Sequence, residues 1–205
     1  PRRPARQVRP RVRAVLRGSL GRTMVAIAAF EVGNVAATLL ILRATEVLAP
    51  GRGPRGAAAL SLVLYTAYNL AATLASVPAG RLADRRGPRL AFALGVWLFL
   101  LAYLAFVAAG GGLVLAAAFV LAGVGIGCVE TAEHAAVARL APPPLQGSAF
   151  GVLGAAQSLG NLVASGVTGL LWTAVAPGAA FLWPAAWMAA SLSLLALAAR
   201  RTERS

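Results

Sequence analysis

Six long apolar segments dominate the sequence and restrict the chain to folds that cross a lipid bilayer. A transmembrane helix needs about 20 mostly apolar residues to cross a hydrocarbon core of ~30 Å. Six stretches meet this requirement: 23–42, 57–79, 90–109, 113–140, 148–175 and 179–199. Their apolar character is continuous, whereas the strands of membrane β-barrels are segments of ~10 residues with alternating character. We therefore predict an all-α integral membrane protein built as a six-transmembrane-helix bundle.

The composition excludes a water-soluble domain. Hydrophobic residues make up 59% of the chain and charged residues 12%, whereas soluble domains carry about 25% charged residues. The net charge of +13 would suggest a nucleic-acid partner on a soluble fold, but no aromatic or motif context supports one here. A single cysteine, Cys128, excludes an internal disulfide. We expect contact with the lipid bilayer and no nucleic-acid partner.

The arginines predict the orientation of the bundle. Every basic residue is an arginine, and sixteen of the nineteen fall on one side if the N-terminus is cytoplasmic. The positive-inside rule then places both termini in the cytoplasm. Residues 1–22 form a basic juxtamembrane arm, 23–199 the transmembrane domain and 200–205 a cytoplasmic tail. The first apolar run is longer than the core of a signal peptide, so we interpret it as a retained span.

Polar side chains within the predicted spans form stripes on four of the six helices. Such groups turn toward protein or water in a membrane, so helices one, two, four and five should surround a polar interior. Helices three and six lack a stripe and are expected outside, against lipid. The candidates for substrate binding or proton coupling are Glu31, Asn34, Tyr65, Tyr68, Asn69, Glu130, Glu133, His134, Gln157 and Asn161.

The glutamates are candidates for proton coupling. A charge at a helix centre costs about 2.5–3.5 kcal/mol on insertion scales, so each needs a partner, a proton or water. Glu31 lies ~12 Å beyond Thr23, and Glu130 lies ~14 Å before Arg139, which places both near the membrane centre. Burial favours the protonated form of a carboxyl group, so such a residue can carry a proton. A structural alternative is that Glu133 pairs with Arg139 or His134.

A metal-dependent enzyme is a further alternative, with Glu130, Glu133 and His134 as ligands. A di-metal bundle needs matching carboxylates and histidines on several helices, and the chain has one histidine. No phosphate loop, nucleotide fingerprint or serine nucleophile motif is present. We expect no enzymatic activity, no cofactor and no metal site.

The hinge between the second and third spans carries the most specific motif. It reads GRLADRRGPR over 80–89, and it lies on the predicted cytoplasmic side. It resembles the G-x-x-x-D-R-x-G-x-R signature of the major facilitator superfamily, found after the second helix of each six-helix half. The resemblance implies a gating latch against the other half. The motif residues are Gly80, Asp84, Arg85, Gly87 and Arg89. The alternative is a basic loop that only sets topology.

Two further stretches resemble the second half of such transporters. RGSLGRTMVAIAAFEVGNVAATLLILRA is similar to their seventh helices, and CVETAEHAAVARLAPPPLQGSAFGVLGAAQSLGNLVASGVTGLLW to their tenth and eleventh. The resemblance implies half of a twelve-helix fold, which needs the missing N-terminal half or a second copy as partner. It also implies secondary active transport of a small molecule by alternating access.

The functional expectation is a proton-coupled efflux protein, working as an antiporter, or a metabolite permease. An alternative is a membrane interaction or scaffold module that transports nothing. Because arginine-only, alanine-rich usage is typical of GC-rich bacterial coding sequences, we expect a multi-pass protein of a bacterial plasma (inner) membrane.

Overall fold

The computed structural model describes residues 12–203 and the side chains of 12–197. The basic arm predicted over 1–22 lies partly outside the described residues, and helix is present from Val12 within its described part. Seven α-helices follow one another in the described chain. They are α1 (Val12–Val15), α2 (Gly18–Glu31), α3 (Ala37–Arg86), α4 (Pro88–Ala108), α5 (Gly112–Leu140), α6 (Gln146–Ala174) and α7 (Leu182–Glu203).

Helix α3 is a pair of helical rods joined at a sharp kink. Gly53 has non-helical backbone angles there (φ 67, ψ 166). The hydroxyl of Thr45 donates a 3.0 Å hydrogen bond to that of Ser61, although a straight helix would separate these residues by ~24 Å. The chain therefore reverses near Gly53, and the two rods of α3 lie side by side.

The predicted first span is not one continuous helix. Helix α2 ends at Glu31, and helix resumes at Ala37. The expectation of a single helix over 23–42 is therefore wrong, and so is its end at residue 42. The side chain of Arg43 explains the extension: it donates hydrogen bonds to the carbonyl oxygens of Phe106 and Ala109, at the C-terminal end of α4. A cation is favoured at that position.

The second span also differs from its prediction. Helix continues beyond residue 79 through Asp84 to Arg86. Gly80 therefore lies within a helix, and the turn that follows α3 is at Gly87, whose φ of +93° favours glycine.

Five helices in the described part of the chain are long and apolar enough to cross a membrane. They are Ala37–Arg86, Pro88–Ala108, Gly112–Leu140, Pro143–Ala174 and Ala179–Leu197. The last two ranges include the short 3-10 helices that precede α6 and α7. The 14-residue α2 falls short of this length by itself. The all-α membrane class is confirmed, whereas the count of six spans remains a prediction.

Aromatic rings fill the core between α2, α4, α5 and α7. Phe99 of α4 contacts the ring of Phe30 at 5.4 Å and that of Tyr103 at 5.5 Å. Phe106 stacks on Phe181 at 5.2 Å. One face of α4, the predicted helix three, therefore packs into the core. The expectation that this helix lies outside the bundle fits only its opposite face. The opposite face exposes Leu94, Trp97 and Leu104, among others.

Small residues bring α3 and α5 together. A Cβ atom on Gly123 would meet the backbone oxygen of Tyr68, and one on Gly127 would meet that of Ala72. Helices α3 and α5 therefore approach closely at Gly123 and Gly127, which are spaced four residues apart.

Candidate functional site

The break between α2 and α3 is the centre of the candidate site. Residues 32–36 are non-helical, and the N–H groups of Val35 and Ala36 lack the backbone partners that a helix would provide. Side chains from other helices supply them. The N–H of Val35 donates to the Tyr103 hydroxyl (3.3 Å), and that of Ala36 donates to Ser165 Oγ (2.9 Å). Irregular backbone within a membrane is tolerated where protein or a cavity satisfies it, as it is here.

The packing of α7 explains why a glycine lies in the break. A Cβ atom on Gly33 would fall 2.6 Å from Cβ of Trp187 and 2.7 Å from Cε of Met188. A larger residue would push α7 away from the break. The sequence Val-Gly-Asn at 32–34 thus allows the chain to turn and helix α7 to cover it.

Glu31 is the last residue of α2, and it is buried with an exposed fraction of 3%. Its Oε2 accepts a hydrogen bond of 3.2 Å from the side-chain amide of Asn34. Gly160 of α6 lies directly against it, because a Cβ atom there would come 2.5 Å from Glu31 Cβ. Asn34 and Glu31 are predicted to share one face of a helix. They do lie side by side, but because the chain turns between them and not because a helix continues there.

Glu133 of α5 is the second buried carboxyl group, with 1% exposed. Its Oε2 accepts a 2.9 Å hydrogen bond from Gln157 of α6, whereas Oε1 has no hydrogen-bond partner among the described residues. The alternative that Glu133 pairs with Arg139 or His134 is wrong. Arg139 bonds to Asp84, and the Nδ1 atom of His134 lies 2.8 Å from the backbone oxygen of Glu130.

The three predicted glutamates form one electrostatic group. The charges of Glu31 and Glu133 interact with each other, and each interacts with Glu130. Glu130 itself is exposed on α5. Two buried acids and one exposed acid therefore share a region between the helix break, α5 and α6. Because like charges in one region repel, the three carboxyl groups do not readily ionise together, so the group is suited to holding protons.

An exposed polar face lies next to this group on α3 and α5. The rings of Tyr65 and Tyr68 stack at 5.7 Å, and Tyr68 interacts electrostatically with Glu130. Asn69 is exposed, and its amide donates to the Tyr65 carbonyl of its own helix. The face bears predicted site residues that the described helices leave partly or fully exposed.

His134 belongs to the same surface. Its ring lies 5.9 Å from that of Phe150 on α6. The described residues contain no group of three His, Cys, Asp or Glu side chains that could hold a metal ion. His134 thus lies among aromatic and backbone groups.

The hinge motif is tied to α5 by an ion pair. Asp84 Oδ1 lies 3.1 Å from a guanidinium nitrogen of Arg139, and the side chains are 77% and 44% exposed, respectively. Arg85 and Arg89 are exposed beside it. The aspartate of the motif thus has a partner on another helix of the same chain. A contact with another half stays a prediction.

Sequence reasoning missed two residues that contribute to the site, Tyr103 and Gly160. The spacing of Phe92, Phe99, Tyr103 and Phe106 marks one face of α4 and could have indicated a buried aromatic surface. Gly160 lies between the predicted residues Gln157 and Asn161 on α6, and Ser165 follows Asn161 by about one turn. Arg139 is predicted as a possible partner of Glu133, but its partner in the structure is Asp84, 55 residues away.

Comparisons with known proteins indicate the family to which the chain belongs. The family model of the Major Facilitator Superfamily matches residues 23–205. An uncharacterized MFS-type transporter of Mycobacterium tuberculosis, Rv1250, is 35% identical over 98 residues. That alignment covers 48% of this chain and 17% of the relative, so the chain spans a small part of the relative's length.

Proposed function

Because this chain belongs to the major facilitator superfamily, we propose that it forms one six-helix half of a secondary active transporter that works by alternating access. The observation that carries the proposal is the broken helix with Glu31 buried at its end. Binding sites in such transporters lie near the membrane centre, where discontinuous helices leave backbone groups free to interact.

The second element of the proposal is proton coupling. Glu31 and Glu133 are buried, their charges interact, and neither forms an ion pair among the described residues. Holding one or two protons is the least costly state for such a pair in an apolar interior. Binding and release of these protons then drive the transport of substrate.

A partner must cover the exposed polar face. Glu130, Asn69 and Thr73 are exposed on it, and polar groups of this kind are costly against hydrocarbon. We infer that a second six-helix unit covers this face, either a preceding half or a second copy, and that the space between the units takes the substrate. We call the two units together the assembled transporter.

The chemistry of this face favours an organic cation as substrate. Stacked Tyr65 and Tyr68 offer aromatic surfaces, and the nearby carboxyl group of Glu130 offers negative charge. Aromatic faces attract cations by ~0.5–2 kcal/mol, more when water is excluded. Exchange of such a cation for protons makes the transporter an antiporter that exports it.

The proposed location is a bacterial inner membrane, with the arginine-rich ends of the helices in the cytoplasm. Sixteen of the nineteen arginines would then lie on the cytoplasmic side.

Transport of ethidium into inside-out vesicles tests the function. Vesicles containing the assembled transporter should accumulate ethidium when their interior is acidified, and collapse of the pH gradient should release it. A scaffold module, the alternative function, would give the same ethidium level as vesicles without the protein. That result would contradict the proposal.

A further inference from the structure

A cavity of about 750 Å³ opens at the arginine-rich end of the bundle, between α2, α4, α5 and α7. We call it the basal cavity. Its mouth carries arginines from four different parts of the chain: Arg22, Arg86, Arg89 and Arg139. Its walls are apolar, with Val25 from α2, Phe92 from α4 and Leu195 from α7. The proposed function does not use this cavity.

Glu133 lies at the deep end of the basal cavity. It precedes Arg139 by six residues on α5, a distance of ~9 Å along the helix axis. Ile27, which also lines the cavity, lies ~8 Å beyond Arg22 on α2. The cavity therefore leads from the surface at the end of the bundle to a side chain that is 1% exposed.

The Oε1 atom of Glu133 requires a partner that the described residues do not supply. Burying a polar oxygen without a hydrogen bond costs ~1–3 kcal/mol. The side-chain amide of Gln157, on α6, donates its hydrogen bond to the other oxygen, Oε2. Water satisfies such groups where space permits, and one water molecule needs ~30 Å³. The basal cavity has room for water beside Glu133, but Oε1 itself is closed to solvent in this structure, so water reaches it only when the cavity wall opens.

The basal cavity is separate from the exposed polar face. None of the described residues that line it belongs to α6, and of α3 it includes Arg86 at the helix end but neither Tyr65 nor Tyr68. Water that reaches Glu133 by this route does not pass through the space proposed for the substrate.

We propose that the basal cavity is an aqueous path by which protons travel between the arginine-rich end of the bundle and Glu133, separately from the substrate. The proposal rests on the proposed proton coupling. In the loading step, a hydronium ion in the cavity gives its proton to the Glu133 carboxylate, which leaves water and a neutral acid. The release step is the reverse.

The groups around Glu133 fit this role. Glu31 on α2 and Glu130 on α5 repel its negative charge, whereas Gln157 on α6 stabilises it through a hydrogen bond. From α4, Arg89 contributes positive charge at the mouth, and the cavity-lining residues of α7 are leucines.

Thiol labelling tests whether water fills the cavity. In the assembled transporter with Cys128→Ala, Ala132→Cys and Ala136→Cys place thiols on the cavity wall. Ala122→Cys on the same helix is the matched control, because Ala122 is also buried and does not line the cavity. A small, membrane-impermeant methanethiosulfonate added at the arginine-rich side should label positions 132 and 136 at least 10-fold faster than position 122. Equal rates at the three positions would overturn the proposal.

A bulky side chain placed in the basal cavity tests whether protons travel through it. Ala136→Phe should slow pH-driven ethidium accumulation at least 10-fold and leave ethidium exchange at equal pH unchanged, with Ala122→Val as control. If Glu133→Gln removes the pH dependence and Ala136→Phe does not, the path is wrong and the proton coupling stands. If Glu133→Gln leaves the pH dependence intact, Glu133 does not carry the coupled proton, and the path to it is wrong whether or not Glu31 couples.

Discussion

The side-chain amide of Asn161, on α6, donates a 2.9 Å hydrogen bond to the backbone oxygen of Asn34, within the helix break. These residues are 127 positions apart in the chain. The bond satisfies a carbonyl that a continuous helix would have used internally. Together with the hydrogen bond from Ala36 N–H to Ser165, it ties the break to α6, next to the end of the helix that bears Glu31.

Asn161→Ala should loosen this connection. The carbonyl of Asn34 would lose its partner, at a cost of ~1–2 kcal/mol within a membrane. We expect a melting temperature lower by several degrees and reduced transport. Thermal unfolding of the detergent-solubilised transporter measures the first. Ser193→Ala is the control, since Ser193 is exposed on α7 and its hydroxyl donates to the backbone of its own helix. Equal melting temperatures for the two variants would contradict the structural role of Asn161.

Gly160→Ala should be far more damaging than Gly166→Ala. A methyl group at residue 160 would collide with the Cβ and backbone atoms of Glu31, whereas nothing lies within 4 Å of the corresponding position at residue 166. Alanine otherwise favours a helix by up to ~1 kcal/mol over glycine. We expect a lower yield of monodisperse transporter for the first variant and an unchanged or higher yield for the second, measured by size-exclusion chromatography.

The ion pair of Asp84 and Arg139 should matter for transport more than for stability. Both side chains are substantially exposed, and such pairs contribute ~0–1 kcal/mol. We expect Asp84→Asn and Arg139→Gln each to reduce ethidium transport several-fold with little change in melting temperature. The charge swap Asp84→Arg with Arg139→Asp should recover part of the rate. A swap that transports no better than the single variants would show that the pair itself is not what transport requires.

The predicted orientation can be tested at the kink of α3. Arg52 lies there and is exposed. In intact cells, Arg52→Cys should react with a membrane-impermeant maleimide, because the positive-inside rule places this turn outside. Arg85→Cys, at the opposite end of the second rod, should react only after lysis. The reverse pattern would contradict the orientation.

The sequence predicts the class of fold well, because long apolar runs leave few alternatives in a membrane. It also identifies Gln157 and Asn161, since polar residues within such runs need protein partners. The break at 32–36 could not be predicted with the same assurance. Gly33 and Asn34 permit a turn there, but α7 covering Gly33 and the partners on α4 and α6 are needed to make one.

The identity of the buried acids also depends on packing. Glu130 and Glu133 are three residues apart on α5, and both lie within the predicted span. The structure exposes Glu130 and buries Glu133, because Glu133 faces Gln157 and the end of α2. A stripe of polar residues shows that a helix has a polar side, but the neighbouring helices decide which of its members lose contact with solvent.

The pH dependence of transport in Glu31→Gln and Glu133→Gln tests the central claim most directly. Glutamine retains the shape of glutamate and cannot titrate, so it separates proton binding from packing. Glu46→Gln is the matched control, because Glu46 is an exposed acid paired with Arg43 far from the break. In acidified inside-out vesicles, we expect Glu31→Gln and Glu133→Gln to abolish ethidium accumulation while ethidium exchange at equal pH continues, and Glu46→Gln to accumulate normally. Accumulation with unchanged pH dependence in both site variants would contradict proton coupling through these residues.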